Sequence, residues 1–253
     1  MKKLFSLSAM CLLLVNCGSE GSGNFTVQGA GSATSVSSTF NGISSSVLNP
    51  FGLASDDLLP VGSAISPSEL QIKVSQFWIS TSADCSNPIL VFEDLGADYQ
   101  NILTTGTKPT FGRGSVEPAN YKCVIMGMND IIQYRPASSD GQQCVAGELE
   151  TLDVCGAGSG SFDHPEGSVY ADGTCSGAND VVPLYLSNFS GSNGDAFNRP
   201  TESGSGNGIS LSGELEVGTA SVNSFFVVDG TDQVSTSGGN CEMQPPTFSF
   251  VTP

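Results

Sequence analysis

The chain has 253 residues, with 8 Lys+Arg against 25 Asp+Glu and a formal net charge of −17. Acidity this strong argues against nucleic acid and anionic lipid surfaces as direct partners, because both demand a positive footprint. Only 13% of residues are charged, Gly reaches 31, and no long stretch is dominated by Ala, Leu, Glu, Lys or Gln, so the composition speaks for strands and turns rather than helices.

The N-terminus reads MKKLFSLSAMCLLLVNC. Lys2 and Lys3 precede an apolar run from Leu4 to Val15. That run suits a secretory signal peptide and is too short to span a bilayer, which takes about 20 residues. Leu14-Val15-Asn16-Cys17 then resembles the lipobox of bacterial lipoproteins, with Leu three residues before the Cys and Asn16 where Gly, Ala or Ser is usual. The resemblance covers the first 17 residues. It implies cleavage after residue 16, loss of Cys11 with the signal, and a lipidated Cys17 carrying a thioether-linked diacylglycerol and a further chain, such as palmitate, on its amine. Two or more chains give stable anchoring, at about 0.8 kcal/mol per buried CH₂. Gly18, rather than Asp, follows Cys17; in the family's sorting rule this directs the protein to the outer membrane, with periplasmic and surface faces both open. Removing residues 1–16 takes two of the eight basic residues and no acid, leaving 6 against 25 and a charge near −19.

Residues 17–66 are expected to hold the lipid anchor and a Gly/Ser-rich tether. Over 18–46 the coil formula gives a mean reach of about 30 Å. An alternative for part of it is that FTVQG adds an edge strand to the body. Val47 to Pro67 reads as irregular structure packed on that body.

The body is expected over 67–253. Leu70, Ile72 and Val74 alternate with polar residues, the period of a half-buried strand. Phe77 and Ile79 continue on the other parity, which places a bulge near Gln76. Trp78 is the only Trp, read first as a core anchor and second as a ligand platform. SADCSNP is a turn and PILVFED a short strand. In SVEPANYKCVIMGMNDIIQY, Tyr121, Cys123 and Ile125 share one face and Lys122, Val124 and Met126 the other; apolar residues on both faces predict a central strand. Residues 68–134 loosely resemble uncharacterised β-sandwich lipoproteins, whose GxxxPGxY turn reads Gly114-Ser115-Val116-Glu117-Pro118-Ala119-Asn120-Tyr121 here, with Ala119 in place of Gly. This resemblance implies fold and no activity. A Cys-rich loop insertion at about 137–180 follows, with little apolar material and therefore an expected reliance on disulfides. VVPLYLSNF, ISLSGELEV, SFFVVDG and PPTFSFV are further strands, separated at 191–208 by a long polar loop. Seven or eight short strands without a convincing helix predict a mainly β protein, an antiparallel β-sandwich, disulfide-bonded.

Six cysteines remain after Cys11 and Cys17: Cys85, Cys123, Cys144, Cys155, Cys175 and Cys241. An even number in an exported chain reads as disulfides, with 15 pairings open; Cys144 with Cys155 is the first local candidate. Zinc is rejected, because it needs clustered Cys or His. His164 is the only His and sits in a polar loop, SFDHPEGS, read as a surface residue rather than a catalytic base. GAGSGS at 156–161 lacks the Lys of a phosphate loop. Glu148 with Glu150, or Glu214 with Glu216, have the spacing to share a strand face, as a glycosidase requires of its acids, yet 25 acids produce such pairs by chance. Asp172-Gly173 with Asn179-Asp180, and Asp229-Gly230-Thr231-Asp232, carry calcium-type oxygens but read as turns. The expectation is a lipid-anchored, non-enzymatic envelope protein, structural or macromolecule-binding, without cofactor, metal or catalytic residue. The alternative is a carbohydrate-binding or glycan-hydrolysing lipoprotein, which an exposed Trp78 favours and a buried one opposes.

Overall fold

The computed structural model describes residues 23–32, 64–103, 108–154, 161–170, 173–174, 180–211, 213–219, 222–244 and 246–251. Among them every regular element is a strand. The first is β1 (Gly23–Ser32), followed by β2 (Pro67–Ile72), β3 (Val74–Ser80), β4 (Ile89–Glu93), β5 (Gln100–Asn101), β6 (Thr110–Val116) and β7 (Ala119–Tyr121). The middle of the chain gives β8 (Cys123–Asn129), β9 (Ile131–Pro136), β10 (Glu150–Asp153), β11 (Ser161–Phe162), β12 (Gly173–Thr174), β13 (Val181–Ser187) and β14 (Ser190–Asp195). The last third gives β15 (Ser205–Asn207), β16 (Ile209–Ser210), β17 (Leu215–Val217), β18 (Val222–Asp229), β19 (Val234–Ser237), β20 (Asn240–Met243) and β21 (Thr247–Val251).

Three sheets carry the fold, ordered β16-β13-β8-β3-β4, β21-β18-β1-β6 and β10-β9-β2-β5. Their pairings are antiparallel except β1 with β18 and β13 with β16. The predicted disulfide-bonded antiparallel sandwich is therefore the observed one. The strand predicted around Leu70 splits at Lys73 into β2 and β3, and the register slips between Val74 and Gln76 against β8 and between Phe77 and Trp78 against β4. That is the bulge anticipated near Gln76: an extra residue shifts the apolar parity so that Leu70, Ile72, Phe77 and Ile79 all reach the same core. The predicted central strand is β8, flanked by β3 and β13, and all seven of its residues are buried. Pro183 is accommodated in β13 opposite Gly127, because the β16 ladder covers only Leu186 and Ser187 and does not reach it.

The main core lies between the sheets. Phe77 stacks on Phe92 and Phe250 at 5.7 and 5.6 Å, and Phe226 stacks on Phe248 at 5.7 Å. Where β6 crosses β4, the sequence supplies two glycines: a Cβ at Gly112 would overlap the Phe92 ring, and one at Gly114 would overlap the Val91 carbonyl. The five-stranded sheet is also covered on its outer face. There Trp78, Ile125 and Tyr185 form a second cluster with Cys85 and Cys123.

Three expectations are corrected. Residues 23–32, assigned to the tether, form β1, and this strand is interior to its sheet rather than an edge addition. Eight consecutive Cα partners on β18 and a second ladder on β6 hold a segment that has almost no apolar periodicity. ISLSGELEV is not one strand: Gly213 takes φ 99° and breaks it into β16 and β17, although Ile209, Leu211, Leu215 and Val217 are all buried as the alternation required. The 137–180 segment is not purely an insertion, since Glu150–Asp153 extends a sheet by pairing with β9. Residues 1–16, Cys17 and the stretch from Val47 to Ser63 lie outside the described residues.

Candidate functional site

Among the described residues two disulfides are formed. Cys85 joins Cys123, and Cys144 joins Cys241. The second overturns the expected Cys144–Cys155 pair. The physical reason is that residues 137–149 are bonded to the hairpin of β19 and β20, with Gln143 N–H donating to the Thr236 hydroxyl and Thr236 N–H to Asp140, which brings Cys144 to Cys241. Asp140 fixes that path. Its carboxylate accepts from the backbone N–H groups of Gln142 (2.8 Å), Cys144 (3.2 Å) and Thr236 (3.1 Å), and from the Thr236 hydroxyl. The Thr236 hydroxyl contributes most to holding Asp140 below the ordinary carboxylate value, with the backbone donors adding to it. Arg135 closes the other side, donating to Glu69 at 2.6 Å and to the Gly147 carbonyl at 2.7 Å. Cys155 and Cys175 lie outside the described residues, as do Asp172 and Asn179 and most of GAGSGS.

Cys85 sits in the predicted turn after β3 with φ 58°, a backbone region that L residues avoid. Its N–H donates to the Ser82 carbonyl at 3.0 Å. Asp84, in the same turn, accepts from the Ser86 hydroxyl at 2.7 Å and its N–H at 3.1 Å. The hydroxyl bond is the largest cause of its lowered pKa. Trp78 is 1% exposed and packs beside this disulfide, so it is a core anchor and offers no face to a ligand.

His164 lies edge-on to Phe162 at 5.1 Å and tilted against Tyr170 at 5.6 Å. It is half-buried rather than the free surface residue expected. Its segment caps the outer face of the five-stranded sheet: the Tyr185 hydroxyl donates to the Asp163 carbonyl at 2.8 Å, and Ser168 donates to the Gln76 amide oxygen at 3.2 Å. The acid pairs do not gather. Glu148 is in the exposed loop while Glu150 begins β10, and Glu214 faces Lys122 at 3.9 Å. Asp229 accepts from the Thr231 N–H and hydroxyl (3.0 and 2.6 Å) and Asp232 from Ser66 at 3.1 Å, the bonding of a turn. No group of three or more His, Cys, Asp or Glu converges among the described residues.

What sequence reading missed is a shallow groove of about 570 Å³ at the end of the five-stranded sheet where β8 begins. Thr81, Ser82, Asp84, Lys122, Phe189 and Glu214 contribute to its walls. These residues come from four separated segments and share no motif, so no spacing pattern could have collected them. The groove is polar, carries both signs of charge, and has one half-buried aromatic ring. It suits hydrogen bonding to a hydroxyl-rich ligand. No family model, curated protein or solved structure matches the chain.

Proposed function

We propose that this is an exported lipoprotein, acylated on Cys17 and held in the outer membrane, whose sandwich is a non-enzymatic envelope module, structural or macromolecule-binding. The observation that carries export is the placement of the cysteines. Cys85, Cys123 and Cys144 are each no more than 1% exposed and are paired within the folded core. A chain that builds its core around disulfides folds in an oxidising compartment. The apolar run ending in Leu14-Val15-Asn16-Cys17 supports the anchor. The non-enzymatic reading draws on the surroundings of the candidate groups: Trp78 is enclosed, His164 is wedged between rings, and Glu214 is turned to Lys122.

Metabolic labelling with a radioactive fatty acid tests the anchor. The wild type takes up label and Cys17→Ser does not; equal labelling of the two overturns the reading. Protease added to intact cells separates a surface face, where the protein is lost, from a periplasmic one.

The polar groove favours one second reading, a carbohydrate-binding lipoprotein with Phe189 as the aromatic wall. Calorimetric titration with envelope glycans tests it. Binding lost in Asp84→Asn favours this reading, and no heat with any glycan removes it.

A further inference from the structure

The anchor reading, taken together with β1, fixes which end of the body meets the lipid. Only Gly18 to Ser22 separate Cys17 from Gly23, the first residue of β1. Fully extended, the six steps from Cys17 to Gly23 span about 20 Å. β1 itself has 10 residues and runs about 30 Å at ~3.3 Å per residue. It cannot peel away to lengthen the spacer cheaply, because it lies between β18 and β6.

The two ends of the sandwich can be told apart. At one end Gly23 pairs with Val116 and Phe25 with Val222. At the other, Ser32 pairs with Asp229. β2 and the strand that continues it, β3, run alongside in matching levels: Leu70 of β2 lies next to Gly230, and Phe77 of β3 stacks on Phe250, the partner of Phe226. Continuing along the strand, Ser80 and its partner Cys123 therefore fall at the Gly23 end. Ile65 pairs with Val234, so residue 32 and residue 64, which bound the intervening 33–63 stretch, both lie at the Asp229 end.

We propose that the end bearing Gly23, Val116 to Tyr121 and Val222 is the face turned to the bilayer, and that the end bearing Ala64 to Pro67 and Asp229 to Val234 points away from it. The proposal rests on lipidation of Cys17. Magnitudes decide it. For the Asp229 end to touch the membrane, Gly23 would have to stand about 30 Å above the lipid, beyond the ~20 Å reach of the spacer. The inverted body is thus out of reach of the spacer, whereas the ~30 Å coil expected of a 29-residue tether would allow it.

Energy transfer to a headgroup-labelled acceptor tests this in phosphatidylethanolamine/phosphatidylglycerol vesicles carrying the full acylated chain. A donor dye is placed through an encoded azide residue at Glu117 or at Ala64, both exposed. Transfer from position 117 is expected to exceed that from position 64 by about twofold, given the ~30 Å length of β1. Inserting about twenty Gly/Ser residues after Gly21 should remove the difference. Flotation of unlabelled wild type and Cys17→Ser with the same vesicles checks the anchor separately. If Cys17→Ser floats as well as wild type, the anchor reading fails and the orientation with it. If flotation depends on Cys17 but transfer is equal at the two positions, or greater at 64, the orientation alone is overturned.

Discussion

Two disulfide neighbourhoods in one molecule are built on different physics. Around Cys85–Cys123 the chain is buried on both sides of a sheet: every residue of β3 and β8 is enclosed, with Phe77, Ile79, Val124 and Met126 facing the main core and Trp78, Ile125 and Tyr185 the outer cluster. Around Cys144–Cys241 the apolar share is small. Val145 and Leu149 are exposed at 43% and 48%, and the path is held by Asp140, Arg135 and the disulfide itself. Burial of a large apolar side chain contributes about 1.5–3 kcal/mol each time it occurs, whereas an exposed ion pair contributes about 0–1 kcal/mol. The first region can outlast its crosslink by packing alone; the second cannot. Of the two disulfides among the described residues, Cys85–Cys123 lies in the sandwich and Cys144–Cys241 ties the start of the 137–180 segment to β20.

The comparison breaks most visibly at Phe77. Phe77→Ala removes a ring stacked on two others and should cost about 3–5 kcal/mol, measured by urea unfolding. A loss under 1 kcal/mol would mean that this core is not what holds the sandwich. The next largest effect is at the second crosslink. Cys144→Ser with Cys241→Ser should cost about 2–4 kcal/mol, and limited proteolysis should cut within residues 137–149 while 70–136 stays intact. Mild reduction should do the same without mutation: Cys241 is half-buried, while Cys85, Cys123 and Cys144 are 1%, 0% and 1% exposed, so the Cys144–Cys241 bond should be opened first, through Cys241, and alkylation should reach Cys241 first. Earlier alkylation of Cys85 or Cys123 would reverse the ranking of the two regions.

A smaller effect is expected where the sheets cross. Gly114→Ala puts a methyl into the Val91 carbonyl, and overpacking of this kind costs about 1–3 kcal/mol; an unchanged melting temperature would contradict the crossing. The smallest concerns Asp140. Its carboxyl is held below the ordinary value of 3.8, first by the Thr236 hydroxyl. A depressed folded-state pKa contributes stability that is present above the unfolded value and is lost as pH falls through the folded one. Proteolysis of 137–149 should thus rise below pH 3.8 in the wild type. Asp140→Asn should show the rise already at neutral pH and little further change with acid. Identical profiles for the two proteins would remove Asp140 from the account.

The sequence made the five-stranded sheet readable because its strands are apolar with clear parity. Phe77, Ile79, Val124, Met126, Leu184 and Leu186 announce a core, and even the bulge near Gln76 follows from the parity change between Val74 and Phe77. TFGRGSV escaped prediction, and in GNFTVQGAGS only FTVQG was weighed as a strand, at an edge; both segments are polar or rich in glycine. They are strands because neighbours supply their ladders, a tertiary effect that no local pattern records. Gly112 and Gly114 carried a signal in hindsight, since glycine inside a strand marks close approach of another backbone or ring. Disulfide pairing was illegible for a related reason: Cys144 and Cys241 are 97 residues apart and meet only through the fold. The polar groove, assembled from separate turns, was beyond any motif.

The central proposal is that this chain is exported, acylated on Cys17 and fully oxidised. Intact mass spectrometry of the protein extracted from membranes, with alkylation before reduction, tests it most directly. The account predicts a chain that begins at Cys17, carries a diacylglyceryl group and an amide-linked acyl chain, and shows no alkylation at Cys85, Cys123, Cys144, Cys155, Cys175 or Cys241. Retention of residues 1–16, or an unmodified Cys17 in the membrane fraction, would contradict the anchor; free thiols at Cys155 and Cys175 would contradict complete oxidation.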